Sequence, residues 1–543
     1  MKEKGDRTKT TKSRRSLFAL LLVILVVPVY FIGRAIIFSR IEKAIISQLE
    51  ILRLEGVLVR YDSMKTDWWK QTVVITGLEV KVNGTKDSLS FAGATIPTAS
   101  LKGIKFLPLL LKHELHFDAI FLDHPALRAM NDFRMPARQK ETKENFIHGI
   151  RIGLLRIDSG AVELIDSTSR GSIATVHLSL DSRDLNVHFV NKGSPTWTIG
   201  EVMASDVKGN FPTLSYGVTV KQAWYSDVEK ILNVDSIQIS PLYDRAEFAR
   251  KAGRQIDQFN CSIPSIQATG FEVGKTQPGR PASYAAHQVN LHFRLEAFRD
   301  KRIPRETRTA TVLPVHFLQK LPFQLQIDTL AVSDSYVSYE EFPQKGETSG
   351  KVFFSGLQAG ITNISNISSE GATMRIHTRF MNSGDLNATF TCPAEAQKPY
   401  TVKGSLSNFS MPEINPMMVA VAHAQFESGE MQEMKFHFQY NEYRSDGEVE
   451  LSYTNLKVRR LKKNQEILEN KLVSFLVNMF VKDDLDKSDT REKRTGSIQM
   501  VRDSQRGIFN YWWKSVFSGV KSVYHGKGNG HRKQKGTTPV AGI

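Results

Sequence analysis

The chain has 543 residues, 24% of them charged, and a formal net charge of +16. That charge is uneven: residues 1–15 carry +5 and residues 491–543 carry +9, which leaves +2 for everything between. A nucleic-acid binder needs its basic patch on the folded body, so that class is excluded, and anionic lipid head groups are the simpler partner for two basic ends.

Residues 1–15 hold seven Lys/Arg against Glu3 and Asp6, and the unbroken apolar run LFALLLVILVVPVYFI follows from Leu17. Residues 16–38 read as a transmembrane helix. Leu17 to Phe38 is about 33 Å of helix at about 1.5 Å per residue, enough for a hydrocarbon core of about 30 Å. The basic flank places residues 1–15 in the cytoplasm and the rest of the chain outside it. Arg34 sits near the far end, where its side chain can snorkel to the head groups at the membrane interface. A cleaved signal peptide would need small residues after the run, whereas Val27-Pro-Val-Tyr-Phe-Ile is bulky. Apolar helical spacing continues through Ile41, Ala44, Ile45, Leu49 and Leu52, so residues 39–54 read as a helical extension.

From 55 to 460 the pattern has period two. Leu78, Val80 and Val82 alternate with Glu79 and Lys81, and Leu291 and Phe293 alternate with Asn290 and His292. Leu325 and Ile327, Phe436 and Phe438, and Val449, Leu451 and Tyr453 continue the pattern. Successive strand residues point to opposite faces, so each segment has one oily and one wet face. One wet face is the mark of antiparallel rather than doubly covered parallel sheets. The expectation is a mainly β body: an elongated, curled antiparallel sheet whose named apolar residues line a lipid-facing groove. One helix is expected over Met411–Phe426, ending near Gly429.

A weak repeat is visible. The segment from Leu155 through Asp158, Val162 and Asp166 echoes that from Leu325 through Asp328, Asp334 and Val337. Both read as a strand that ends at Asp and a second strand that returns, with Asp supplying turn chemistry.

Several of these segments resemble the start and end of AsmA-like proteins: Val73-Val-Ile-Thr-Gly77-Leu-Glu-Val80, then Ala99-Ser-Leu101-Lys-Gly103 running into Leu107-Pro-Leu-Leu110, then Leu115 to Leu127 closed by Pro125, and Gly429 to Val458. The resemblance implies a bacterial inner-membrane protein with a periplasmic body, architecturally related to chorein-type bridge-like lipid-transfer proteins. It implies phospholipid acyl chains as partners and a role in lipid transport or outer-membrane assembly. The alternative is a structural scaffold with a closed β-core.

No phosphate loop, HExxH, GxSxG or CxxC motif occurs, and no catalytic set, cofactor or metal site is expected. His113-Glu-Leu-His116 lacks a nearby third ligand. Asp483, Asp484, Asp486 and Asp489 lack the Gly and Glu of a calcium loop. Cys261 and Cys392 could pair or could be two small buried residues.

Residues 461–481 read as a capping helix, 482–506 as a charged linker and 525–543 as a polar basic tail. Between them, 507–524 form an amphipathic helix in which Phe509, Trp512, Trp513 and Phe517 share an apolar arc and Lys514 and Lys521 lie opposite. Aromatic residues and Lys on one helix suit a membrane interface, of a second membrane or beside an envelope protein; the competing role is to seal the end of the sheet.

Overall fold

The computed structural model describes residues 57–461 and 494–525, except Trp68 and residues 84–90, 134–146, 190–195, 275–280, 306–310 and 396–397. The expected transmembrane helix with Arg34, its extension, residues 462–481 and the tail beyond 525 lie outside the described residues. Among the described residues no helix is long and apolar enough to cross a membrane. The chain divides into two compact units, Met1–Thr213 and Leu214–Ile543.

In the first unit the strands are β1 (Val57–Arg60), β2 (Ser63–Asp67), β3 (Thr72–Asn83), β4 (Phe91–Lys102), β5 (Glu114–Asp123), β6 (Ala126–Met130), β7 (Gly149–Ile165), β8 (Ser172–His188), β9 (Thr196–Thr198) and β10 (Glu201–Phe211), with helix α1 (Phe106–Lys112) before β5. β1 and β2 lie end to end along β3, which pairs with β4. β5 and β6 lie end to end between β4 and β7, and β7 pairs with β8, which carries β9 and β10. Val73, Ile75, Ala99 and Ile104 form this unit's small buried core.

The second unit holds β11 (Tyr216–Ser226), β12 (Ile231–Pro241), helix α2 (Arg245–Ala252), β13 (Asp257–Thr269), β14 (Glu272–Val273), β15 (Ser283–Asp300), helix α3 (Pro314–Gln319), β16 (Gln324–Phe342), β17 (Gly350–Ser365), β18 (Ala372–Phe380), β19 (Gly384–Cys392) and β20 (Tyr400–Ser410). After a 3-10 turn at Met411–Ile414 come helix α4 (Asn415–Ala422), β21 (Ala424–Tyr440), β22 (Arg444–Arg460), β23 (Arg494–Val501) and helix α5 (Ile508–His525). Apart from β14, which pairs end-on with β15 beside β13, each strand pairs with the next in chain order.

The sheet is mixed rather than purely antiparallel. β5 and β6 meet β7 in parallel, and so do β15 and β16. A parallel pair cannot be joined by a tight hairpin and needs a longer crossover. Here the crossovers are the stretch between β6 and β7 and the one that carries α3. The two strands that follow them, β7 and β16, are the two halves of the repeat seen in sequence.

Each of these is one continuous strand, which corrects the strand–turn–strand reading. Asp158 and Ser159 form a bulge in β7, and Ser333 and Asp334 form one in β16, with Ser159 at φ 52° and Asp334 at φ 40°. The structural equivalent of Asp158-Ser159 is therefore Ser333-Asp334, not Asp328. Turn chemistry holds only at Asp166, whose carboxylate accepts the Thr168 and Ser169 amides just after β7.

Two further expectations change. The expected helix over 411–426 stops at Ala422, where His423 takes the left-handed conformation (φ 48°), and Ala424 already begins β21. A strand wins there because Phe426 pairs with Val458 of β22 and is buried against Phe409 and Met411. The expected linker 482–506 contains β23, whose Gly496 and Ile498 face a packed core.

Candidate functional site: an apolar face with a charged end

The bulges have a purpose that is visible from the pairing. β15 runs through without a bulge, so Leu291 and Leu295, four apart, share a face. Their partners on β16 are Val332 and Val337, five apart, and on β13 they are Ile266 and Cys261, also five apart. The extra residue in each bulge restores the phase, so the oily side stays on one face. In the first unit β8 sets the phase. Leu180 and Val176 pair with Ile157 and Val162 of β7 across the bulge at Asp158-Ser159.

The result is an unbroken set of apolar rows. Ala223, Val234, Ile266, Leu291, Val332, Ala359 and Ile376 are successive cross-strand partners from β11 to β18. The row continues through Ala388, Gly404, Phe436, Val449 and Gly496 to β23. A neighbouring row runs Tyr225, Leu232, Ala268, Val289, Leu330, Ile361 and Met374, then Phe390, Val402, Phe438, Gly447 and Ile498. Between them lies a polar row that includes Asn290, Arg375, Lys403, His437 and Glu448, which points to the other face. The first unit repeats the arrangement with Met64, Ile75, Ala99, Leu122, Ile157, Leu180 and Ala204, and again with Val59, Val80, Ala94, Leu127, Val162 and Val176.

Cover over this face is unequal. From β19 to β23 it is a closed core: Phe438 is 1% exposed and Val449 and Ile498 are 0% exposed, beneath α5. From β11 to β17 most of the same rows are only half-buried. In the first unit Leu127 and Val162, direct partners, are both exposed.

The expected groove residues divide accordingly. Val80, Val82, Leu291 and Phe293 are half-buried, and Leu78 packs on the small core of the first unit. Leu325 and Ile327 pair with Tyr284 and Ala286, beyond the Asp328 row from Leu330. Phe436, Phe438, Val449 and Leu451 are buried, and Tyr453 is half-buried with its hydroxyl accepting from Arg494 at 2.8 Å.

Helix α5 packs differently from the expected arc. Tyr511 and Trp512 turn inward, Trp512 lying 4.3 Å from Phe390 and Tyr511 5.7 Å from Tyr440, ring to ring. Phe509 and Trp513 turn outward at 75% and 53% exposed, and Trp513 stacks on Phe517. Lys514 and Lys521 are half-buried. Ser518 and Ser522 accept the backbone amides of Gln499 and Ser497 at 3.2 and 2.5 Å, so the helix satisfies donors along the outer edge of β23. Close approach depends on glycine, since a Cβ on Gly519 would meet Ile498 at 2.6 Å and Val449 at 2.7 Å.

Charged groups close one end of the apolar face. Asp257, Arg299 and Glu341 are cross-strand partners on β13, β15 and β16, one alternation beyond Phe259, Ala297 and Tyr339. Arg299 donates twice to Asp257 at 2.6 and 2.5 Å, and Lys301 reaches Glu341 at 2.5 Å. The segment before α5 joins them: Arg305 pairs with Asp503 at 2.8 Å, and Arg506 reaches Gln255 at 3.5 Å. Arg502 is buried, paired with Glu442 and donating to the Thr311 carbonyl at 2.5 Å. No periodicity announces this cluster, because its members come from five separate stretches of chain.

Elsewhere His116 is hydrogen-bonded to Glu114 at 2.9 Å, and no group of three potential ligands converges on a metal position among the described residues. Cys261 and Cys392 are free thiols, and burial raises the pKa of each. No known family and no characterised protein sequence matches the chain.

Proposed function

We propose that this chain is a membrane-anchored, non-enzymatic lipid-handling protein of the bacterial envelope, with a cytoplasmic N-terminus and a periplasmic body. Acyl chains lie along the apolar face, and the protein serves lipid transport or outer-membrane assembly, as the resemblance to AsmA-like proteins implies. The observation that carries this reading is the set of apolar rows that stay in phase through every bulge while much of the face remains partly open. A core needs apolar residues, but it does not need them left at the surface as Leu127 and Val162 are. From Val289 to Ala297 the band on β15 is about 27 Å long at about 3.3 Å per residue, more than the roughly 15 Å of one bilayer leaflet. On α5, outward Phe509 and Trp513 are suited to a membrane interface.

Purification in mild detergent followed by native mass spectrometry should find co-purified lipid, and photo-crosslinkers at Val162 and Leu291 should label it. Delipidated protein that takes up no lipid would refute the reading. A periplasm-dependent reporter fused after residue 60 should be active; activity only of a cytoplasmic reporter would refute the topology. The scaffold reading is favoured by one observation, the closed core under α5. It predicts crosslinks from Leu291 to protein and none to lipid.

A further inference from the structure

The turn between β2 and β3 and the short helix α1 stand at one end of the first unit's sheet. Asp67 holds the turn by accepting the amides of Trp69 and Lys70 at 3.1 and 3.0 Å. The carbonyl of Gln71 accepts the amides of Gly103 and Ile104 at 3.0 and 3.4 Å, which ties the turn to the stretch that leads into α1. Ile104, buried in the small core, roots that stretch in the unit. At this end three large apolar side chains face solvent: Trp69 is 60% exposed, Leu107 66% and Leu111 71%. Leu107 and Leu111 are four apart on α1 and so share one face of it. Two cations accompany them. Lys112, the last residue of α1, is exposed, and the Lys70 side chain is 82% exposed, 3.9 Å from Asp67.

The residue mix selects the partner. An exposed apolar patch marks a contact with protein or with membrane. Protein interfaces are depleted in Lys, and their energetic anchors are seldom Leu. Trp, Leu and Lys together suit a bilayer surface: Trp sits at head-group level, Leu enters the acyl boundary, and Lys keeps its ammonium among anionic head groups. Lengths say which bilayer. β1 begins at Val57 opposite Val82, and β2 ends at Asp67 opposite Thr72, so the chain enters at one end of β3 and reaches the turn at the other. From Val82 to Thr72 is about 33 Å at about 3.3 Å per residue. Residues 39–54, which read from sequence as a helical extension and lie outside the described residues, would rise about 24 Å, and the two residues before Val57 add about 7 Å. A rise of about 30 Å from the anchor brings the chain in at the far end of β3, and β1 and β2 then return it to the bilayer surface.

We infer that Trp69, Leu107 and Leu111, with Lys70 and Lys112, dock the first unit on the anionic surface of the bilayer that holds the chain's own anchor. This rests on the membrane-anchored reading proposed above and adds a second membrane contact, made by the folded body itself. An anchor alone lets the body swing, whereas a second contact fixes which end of the strands faces the lipid. A helix of seven residues buries little surface, so the contact is weak by itself. It suffices because the anchor keeps the bilayer at high effective concentration.

The test uses the full chain, reconstituted in vesicles that contain phosphatidylglycerol and a spin-labelled lipid. An environment-sensitive fluorophore is placed at Leu111→Cys and, for reference, at Leu58→Cys on β1 at the other end of the strands. The parent chain labelled in parallel gives the background from Cys261 and Cys392. Quenching by the spin-labelled lipid should be about threefold or more stronger at Leu111→Cys than at Leu58→Cys. It should fall by about half in phosphatidylcholine vesicles, in high salt, or when Lys70→Gln and Lys112→Gln are added. Adding Leu107→Asp should bring it to the reference level and leave the melting temperature unchanged, because that side chain is exposed. A melting temperature that falls with Leu107→Asp assigns this residue to the fold and overturns its docking role. Quenching that appears only when protein-free spin-labelled vesicles are added assigns the surface to another bilayer and overturns the assignment to the chain's own. A chain that floats with its vesicles yet shows equal quenching at the two positions overturns the docking surface and leaves the anchor standing. A chain that does not float overturns the anchor reading and this inference with it.

Discussion

Phe438 and Leu291 occupy neighbouring apolar rows and should behave differently when changed. Phe438 is fully enclosed by Phe390, Val402, Tyr440 and the inner side of α5. Phe438→Ala should cost about 3–5 kcal/mol, the range for deleting a buried aromatic ring, read by urea unfolding. Leu291 is only half-buried, so Leu291→Ala should cost about 1 kcal/mol or less, since part of the transfer term is already missing in the folded state. Leu291→Asp should fold and lose crosslinked lipid, whereas Phe438→Asp should not fold. A Leu291→Asp protein that folds and keeps its lipid would remove that position from the lipid path. Titration gives a second residue-scale expectation. The hydrogen bond from Arg156, with its charge, lowers the pKa of Asp181, and Arg302 does the same for Asp300. Both pKa values lie below the unfolded value of about 3.9, so the stabilisation is whole above that pH and is lost as pH falls through the depressed values. Arg156→Gln should leave the melting temperature less sensitive to pH below about 4.

At the scale of elements, the bulges and the last helix decide the architecture. Deleting Ser159 would remove the extra residue of the β7 bulge and turn Val162 and Leu164 to the polar face. Loss of several apolar contacts at once should unfold the first unit cooperatively, with hydrogen exchange accelerated across β5 to β8. Retained protection there would mean that the bulge is incidental. For α5, Gly519→Val should wedge the helix off β22 and β23, since even a methyl group meets Ile498 and Val449 below 3 Å. A cost of about 1–3 kcal/mol is the usual range for overpacking, and Trp512 fluorescence should shift to the red as its site opens.

At the scale of the whole molecule, two units repeat one plan: a meander, a crossover to a parallel strand, a bulge in that strand and a further meander. Each repeats the same problem, a sheet with one oily face, and the second unit solves part of it by folding its C-terminus back. Removing residues 502–543 should therefore uncover the core beneath α5 and free the β23 edge. Such a protein should bind a hydrophobic dye strongly and self-associate, as an open strand edge beside apolar surface does. A truncated protein that stays monomeric and dye-free would show that another segment covers that face.

The sequence alone determined the β class, the alternating faces, the place of the repeat and the helix over 507–524, because strand and helix periods are local properties that side-chain order reveals directly. It also placed Val80, Leu291, Phe436 and Val449 on the oily face. What it could not supply was register. Whether Asp158 begins a turn or sits in a bulge depends on the neighbouring strand, where Leu180 and Val176 set the phase. β23 reads as linker in the sequence because its pattern is short and takes its meaning only from Val449 and Tyr511 across the fold. The charged cluster is hidden for the same reason: Asp257, Arg299, Glu341, Lys301, Arg305 and Asp503 meet only after the crossover and the C-terminal segment pack together. Periodicity travels along the chain, but register, closure and charge clusters are relations between distant segments, and those the tertiary structure decided.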